Sequence, residues 1–138
     1  MCRPPWRDWV PLVFLVSVIG CSLASTALQP ASSLGASGGI VGLGGYLLAT
    51  AGVREDGPPL WIRKRMALLV VSLVVTGIVG YRYVDNAGHA GGFVTGAVIG
   101  LMLRQPEGEP STTAELAGWV SMAILIGGAV FTMVKLLG

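Results

Sequence analysis

Charge is what this sequence lacks most. Only 12% of its 138 residues are Asp, Glu, Lys or Arg, about half the share of an ordinary soluble domain. The few charges are bunched, with none between Trp9 and Val53, Met66 and Tyr81, Asn86 and Leu103, or Leu116 and Val134. Uncharged runs of that length exclude most soluble folds and place the chain in a bilayer. Cysteine is scarce as well: Cys2 and Cys21 form no disulfide framework and do not fix a redox compartment. With a single histidine, His89, no metal and no cofactor are expected. A net charge of +2 is too slight for a nucleic-acid partner, because the basic residues flank apolar runs. An apolar share of 53% excludes disorder, and 21 glycines without a strict period exclude a collagen-like chain.

What is present reads as an all-α, polytopic transmembrane bundle of about five spans. A spanning helix needs about 20 apolar residues, so the stretch from Trp9 to Val53 suits two spans, broken at the polar Gln29-Pro30-Ala31-Ser32-Ser33. The expected helices are Val10–Leu28, Gly35–Gly52, Met66–Tyr81, Gly88–Leu103 and Leu116–Leu137. Arg3, Arg7, Arg54, Arg63, Lys64, Arg65 and Arg104 fall on one side of these spans, whereas only Arg82 and Lys135 fall on the other. The positive-inside rule then puts residues 1–9, the loop Arg54–Arg65 and the loop 104–115 in the cytoplasm, with Gln29–Leu34 and Arg82–Ala87 outside. Residues 10–103 form the membrane domain, and 116–138 carry a further C-terminal span. Trp6, Trp9, Trp61 and Trp119 stand near span ends, as interfacial tryptophans do. The layout of Arg3, Arg7 and Val18-Ile19-Gly20-Cys21 also fits a lipoprotein signal. The uncharged run continues through Leu28 with no polar mature domain behind it, which favours a retained helix.

Two helices carry stripes of small residues. Gly38, Gly42, Gly45 and Ala49 fall within roughly 60° of arc at about 100° per residue, and Gly88, Gly92, Gly96 and Gly100 repeat every fourth position. Such stripes let helix backbones approach closely in lipid, and generic packing is their ordinary meaning. The residues beside them add more: Ser37 begins the first stripe and His89 the second, at similar depth. A membrane serine usually bonds back to a carbonyl one turn earlier, and an interfacial histidine can simply be satisfied. Together they make a nucleophile and a base, since a serine hydroxyl attacks only when a nearby group takes its proton.

Gly35-Ala36-Ser37-Gly38 followed by Gly42 and Gly45 resembles the nucleophile segment of the rhomboid intramembrane serine proteases. Ala87-Gly88-His89-Ala90-Gly91-Gly92 followed by Gly96 and Gly100 resembles that family's histidine helix. The resemblance covers residues 10–103. Gly35 to Gly39 also fit the G-x-S-x-G elbow of soluble α/β-hydrolases, but that motif needs a preceding strand, and uncharged spans flank it here. The rhomboid resemblance implies that Ser37 is the nucleophile and that His89 is the general base, with no acidic third member. Asp85 and Asn86 are then helix-start residues. It further implies that the backbone N–H groups of Ser37 and Gly38 face the oxyanion, and that Gly42, Gly45, Gly92, Gly96 and Gly100 are packing residues. The expected partners are transmembrane protein substrates in a lipid bilayer, the plasma or inner membrane, with the N-terminus cytoplasmic and the oligomeric state undefined.

The chain departs from that family pattern in two ways. Rhomboids have a core of six helices with the serine on the fourth and the histidine on the sixth, so the first two core helices lack counterparts here. With them goes a His-x-x-x-Asn segment that helps to hold the oxyanion, and loss of one such donor costs about 10²–10³ in rate. Val41 also stands where the family commonly has an aromatic packed on the histidine. The leading expectation is therefore an intramembrane serine endopeptidase, with this chain the C-terminal part of a longer active protein or the product of a misplaced start. The alternative is a truncated, inactive rhomboid-like protein that binds transmembrane segments, and the plainest is a small packing subunit of a membrane complex.

Overall fold

A computed structural model describes residues 7–28, 36–53, 57–103 and 112–137. They hold five α-helices and, among the described residues, no strand: α1 (Val10–Leu28), α2 (Ser37–Val53), α3 (Leu60–Val79), α4 (Asn86–Met102) and α5 (Thr112–Leu137). The expected all-α bundle is thus what forms. The Gln29–Leu34 connector, Gly35, Trp6 and the basic residues Arg3, Arg54 and Arg104 lie outside the described residues.

Helix α1 spans the expected residues, α2 and α4 start within two residues of their expected starts, and the starts of α3 and α5 move further. The expected third helix began at Met66, whereas α3 starts at Leu60, so Arg63, Lys64 and Arg65 belong to its first turns and not to a loop. Proline sets this boundary: Pro59 is extended (φ −61°, ψ 154°) and its carbonyl accepts from the N–H groups of Ile62 and Arg63. The expected fifth helix began at Leu116, yet α5 starts at Thr112 and absorbs the end of the expected 104–115 loop. Charged residues in a first turn project beyond the apolar layer, so a charge-free window locates the buried part of a helix and misses its polar start.

Burial runs opposite to that of a soluble domain. The fully buried side chains include Ser17, Ser25, Thr50 and Ser121, while large apolar residues such as Leu68, Ile78, Val79, Trp119, Phe131 and Leu136 are exposed. Apolar surface that extensive needs lipid around it. Among the described residues two segments, Val10–Leu28 and Glu115–Leu136, are long and apolar enough to cross a membrane, with mean hydropathies of 2.0 and 1.9. Helices α2 and α4, with 17 residues each, reach about 25 Å at 1.5 Å per residue.

Helices α1, α2 and α4 pack mutually and form the centre, with α3 against α2 and α5 against α1. The α2–α4 crossing is the closest. A methyl group added at Gly92 would fall on the Gly38 carbonyl, and one at Gly96 on the Gly42 carbonyl. Backbones at that range gain van der Waals contact along the whole crossing, the main attraction available between helices in lipid. Bulkier packing sits at the opposite end of the bundle, where Val13, Tyr46 and Leu47 form a core with Trp9, Leu43, Ile62, Met66, Ile99 and Leu103. The chain is therefore wide-cored at one end and glycine-packed at the end where α2 and α4 begin.

Candidate active site

Ser37 is the first residue of α2 and His89 the fourth of α4, so both sit at the glycine-packed end. His89 Nε2 lies 3.0 Å from Ser37 Oγ. With that nitrogen unprotonated, the hydroxyl donates to it, the geometry from which an imidazole can take a serine proton. Ser37 is exposed and His89 half-buried, so the hydroxyl can be approached from outside the bundle.

Three helices hold this pair together. The Cys21 side chain on α1 packs where side chains at Gly38 and Gly88 would otherwise project, directly beside Ser37 and His89. Glycine at both positions lets α2 and α4 close on the cysteine. Asp85 caps α4: its side chain accepts from the N–H of Gly88 at 2.7 Å, and its carbonyl accepts from the N–H of His89 at 3.0 Å. The turn that carries the imidazole is thereby fixed at its start. The next residue, Asn86, donates its amide to the Gly77 carbonyl at 2.9 Å and ties the end of α3 to the start of α4.

The candidate site and packing residues of α2 and α4 each have a definite place. Gly42, Gly45, Gly92, Gly96 and Gly100 all lie in the α2–α4 crossing, where added methyl groups would meet Ser17, the Phe93 carbonyl, the Gly38 carbonyl, the Gly42 carbonyl and the Tyr46 carbonyl respectively. Val41 is buried one turn below Ser37. Ser37 and Gly38 supply the first N–H groups of α2, which have no acceptor within the helix. Asp85 and Asn86 are helix-start residues, as expected. Among the described residues no group of His, Cys, Asp and Glu could hold a metal ion.

Two contributors were missed. Gly77 drew no attention because it belongs to no four-residue glycine repeat and lies among Val74, Val75, Thr76, Ile78 and Val79, although a side chain there would collide with the Asn86 amide. Helix α1 carries its own stripe, since Val13, Ser17, Cys21 and Ser25 are buried at four-residue spacing. Read as small residues and not only as glycines, that spacing would have marked α1 as the third partner.

A model of the rhomboid domain matches residues 10–106. Over 103 residues the chain is 33% identical to RHOMBOID-like protein 6, mitochondrial, of Arabidopsis thaliana, covering 71% of this chain and 33% of that protein. It is 32% identical over 98 residues to RHOMBOID-like protein 4 of the same plant, covering 68% of this chain and 24% of the relative. It is 28% identical over 118 residues to Rhomboid protease GluP of Bacillus subtilis (strain 168), covering 84% of this chain and 23% of the relative. The chain thus spans between about a quarter and a third of the length of these relatives. No solved structure matches it.

Proposed function

The chain belongs to the rhomboid family, and we propose that it carries the nucleophile and base of an intramembrane serine endopeptidase that cuts transmembrane substrates. The observation that supports this most is the 3.0 Å contact between Ser37 Oγ and His89 Nε2, two residues 52 positions apart. Ser37 attacks a peptide carbonyl, its proton passing to His89; an acyl-enzyme forms as His89 returns the proton to the leaving amine, and water then releases the acid. The first N–H groups of α2, at Ser37 and Gly38, sit at a positive helix end and favour the developing oxyanion. Residues 10–103 act as the membrane domain, and α5 is a further span. All five helices cross the membrane, and the end bearing Arg7, Arg63, Lys64 and Arg65 faces the cytoplasm, with the Ser37 end outside.

A second reading, binding of transmembrane segments without cleavage, is favoured by one sequence fact. His89 is the sole histidine, so these 138 residues do not contain the His-x-x-x-Asn segment that the family resemblance attaches to the oxyanion. Labelling with a fluorophosphonate in liposomes separates the two. The protease reading expects labelling of the parent that Ser37→Ala abolishes and His89→Ala reduces strongly; equal labelling of parent and Ser37→Ala overturns it. Cleavage of a transmembrane model substrate by this chain alone eliminates the second reading.

A further inference from the structure

At the end of the bundle opposite Ser37, α5 meets α1 across a cavity of about 180 Å³ that takes no part in the site described above. Gly118 of α5 is buried there and sets the crossing, because a methyl group on it would lie 3.0 Å from the Asp8 carbonyl. Further along, Ser121 is buried, whereas Gly127 and Gly128 have nothing near the position of an added methyl group, so α5 is held to α1 by its first half. The lining of the cavity carries charge of both signs: Arg7 and Asp8 from the residues that lead into α1, and Glu115 from the first turn of α5. One turn on, Trp119 forms a wall that is 69% exposed, and Pro11 and Met122 continue the lining as apolar surface.

We propose that this cavity binds the head of a phospholipid with a primary ammonium, the phosphatidylethanolamine class, with its acyl chains running along Pro11 and Met122 in the groove between α1 and α5. Charge decides the class. Arg7 attracts a phosphate, which the planar guanidinium can hold through two parallel hydrogen bonds. Asp8 and Glu115, when ionised, only accept, and an ammonium group offers three donors, enough to bridge both carboxylates. A purely anionic head would bring its negative charge to a lining where two carboxylates face one cation. A trimethylated head keeps the positive charge and can lie on the Trp119 face, but it has no N–H to give. Trp119 also marks the depth, because indoles concentrate at the level of lipid heads. The inference does not depend on whether Ser37 cuts a substrate.

The test is native mass spectrometry of the full chain released from micelles that hold equal amounts of phosphatidylethanolamine, its N-methyl and N,N-dimethyl forms, phosphatidylcholine and phosphatidylglycerol, all with the same acyl chains. Retention is expected to fall with each methyl group and to differ about tenfold between the ends of that series, roughly the value of one hydrogen bond to a charged group. Phosphatidylglycerol should be retained no better than phosphatidylcholine. Asp8→Asn combined with Glu115→Gln, which keeps the size of both side chains, should level the series, whereas Lys64→Gln, on α3, should leave it intact. The double variant should also lose the rise in unfolding temperature that phosphatidylethanolamine gives the parent over phosphatidylcholine. Equal retention across the methyl series, a stronger hold on phosphatidylglycerol, or a series unchanged in the double variant overturns the proposal. Displacement of the lipid by an equal concentration of phosphoethanolamine, which has the head without the chains, overturns it too. If the double variant does not fold, Glu115→Gln alone, at an exposed position, takes its place. That single change is expected to reduce the ratio at least about threefold, and an unchanged ratio overturns the site.

Discussion

The side-chain amide of Asn86 donates to the carbonyl of Gly77 at 2.9 Å, so the first residue of α4 closes the last turn of α3. A helix end leaves such carbonyls without partners, and at the edge of a bilayer an unpaired one is costly. Asn86→Ala removes the bond and is expected to lower stability by about 0.5–1.5 kcal/mol. Gly77→Ala displaces the same amide, because a methyl group there falls on the Asn86 side chain. The double variant should therefore cost less than the sum of the singles, measured as unfolding free energies in mixed micelles. Strict additivity would mean that the bond does not join the two helices.

The glycines divide into those that cannot change and those that can. Gly96 faces the Gly42 backbone, which cannot move aside as a flexible side chain would, whereas Gly127 on α5 has nothing near the position of an added methyl group. Gly96→Ala is expected to cost about 1–3 kcal/mol and to depress fluorophosphonate labelling of Ser37 strongly. Gly127→Ala should be neutral or stabilising by up to about 1 kcal/mol, since alanine is the better helix former. Thermal unfolding and labelling of both variants in the same detergent check the contrast.

Asp85 acts on the Ser37–His89 contact through the backbone. Its carboxylate caps α4 at the Gly88 N–H, one residue before His89. Asp85→Ala is expected to cost about 1 kcal/mol and to slow labelling of Ser37, while Asp85→Asn, which keeps the acceptor, should retain most of both. If alanine and asparagine slow labelling equally, the cap is not what orients the histidine turn.

Much of this arrangement was legible in the sequence, for physical reasons that also explain the gaps. Helix α1 could be bounded because polar Gln29 and Pro30 follow an uninterrupted apolar run. The α2–α4 crossing was legible because a repeat every fourth residue puts glycine on one helical face and lipid offers little other means of association. Ser37 and His89 could be paired because each begins one of those faces. The start of α3 was not legible, since Arg63-Lys64-Arg65 reads as loop when charge alone is followed, yet a helix can begin outside the apolar layer. The α1 contact was missed because its stripe is built from Val13, Ser17, Cys21 and Ser25 and contains no glycine. The Asn86–Gly77 bond depends on how the 80–85 turn folds back, with Tyr83 and Val84 N–H groups both donating to the Gly80 carbonyl, and single-residue signals do not encode that return.

Cys21 is the residue whose role changes most between sequence and structure. In the sequence it ends a signal-like segment; in the fold it is a buried spacer between the residues that precede and follow the dyad, Gly88 and Gly38. Its size, more than its sulfur chemistry, should then set how closely α2 and α4 approach. Cys21→Leu adds volume against Gly38 and Gly88, where α2 and α4 close on the cysteine, so it is expected to cost about 1–3 kcal/mol and to separate Ser37 from His89. Cys21→Ala leaves a small void and should lower stability modestly while preserving the contact. The two variants therefore differ in kind: alanine lowers the unfolding temperature with labelling of Ser37 largely kept, whereas leucine suppresses labelling even at temperatures where the protein remains folded. Equal labelling of the two, measured well below both unfolding transitions, would show that the dyad is set by α2 and α4 alone.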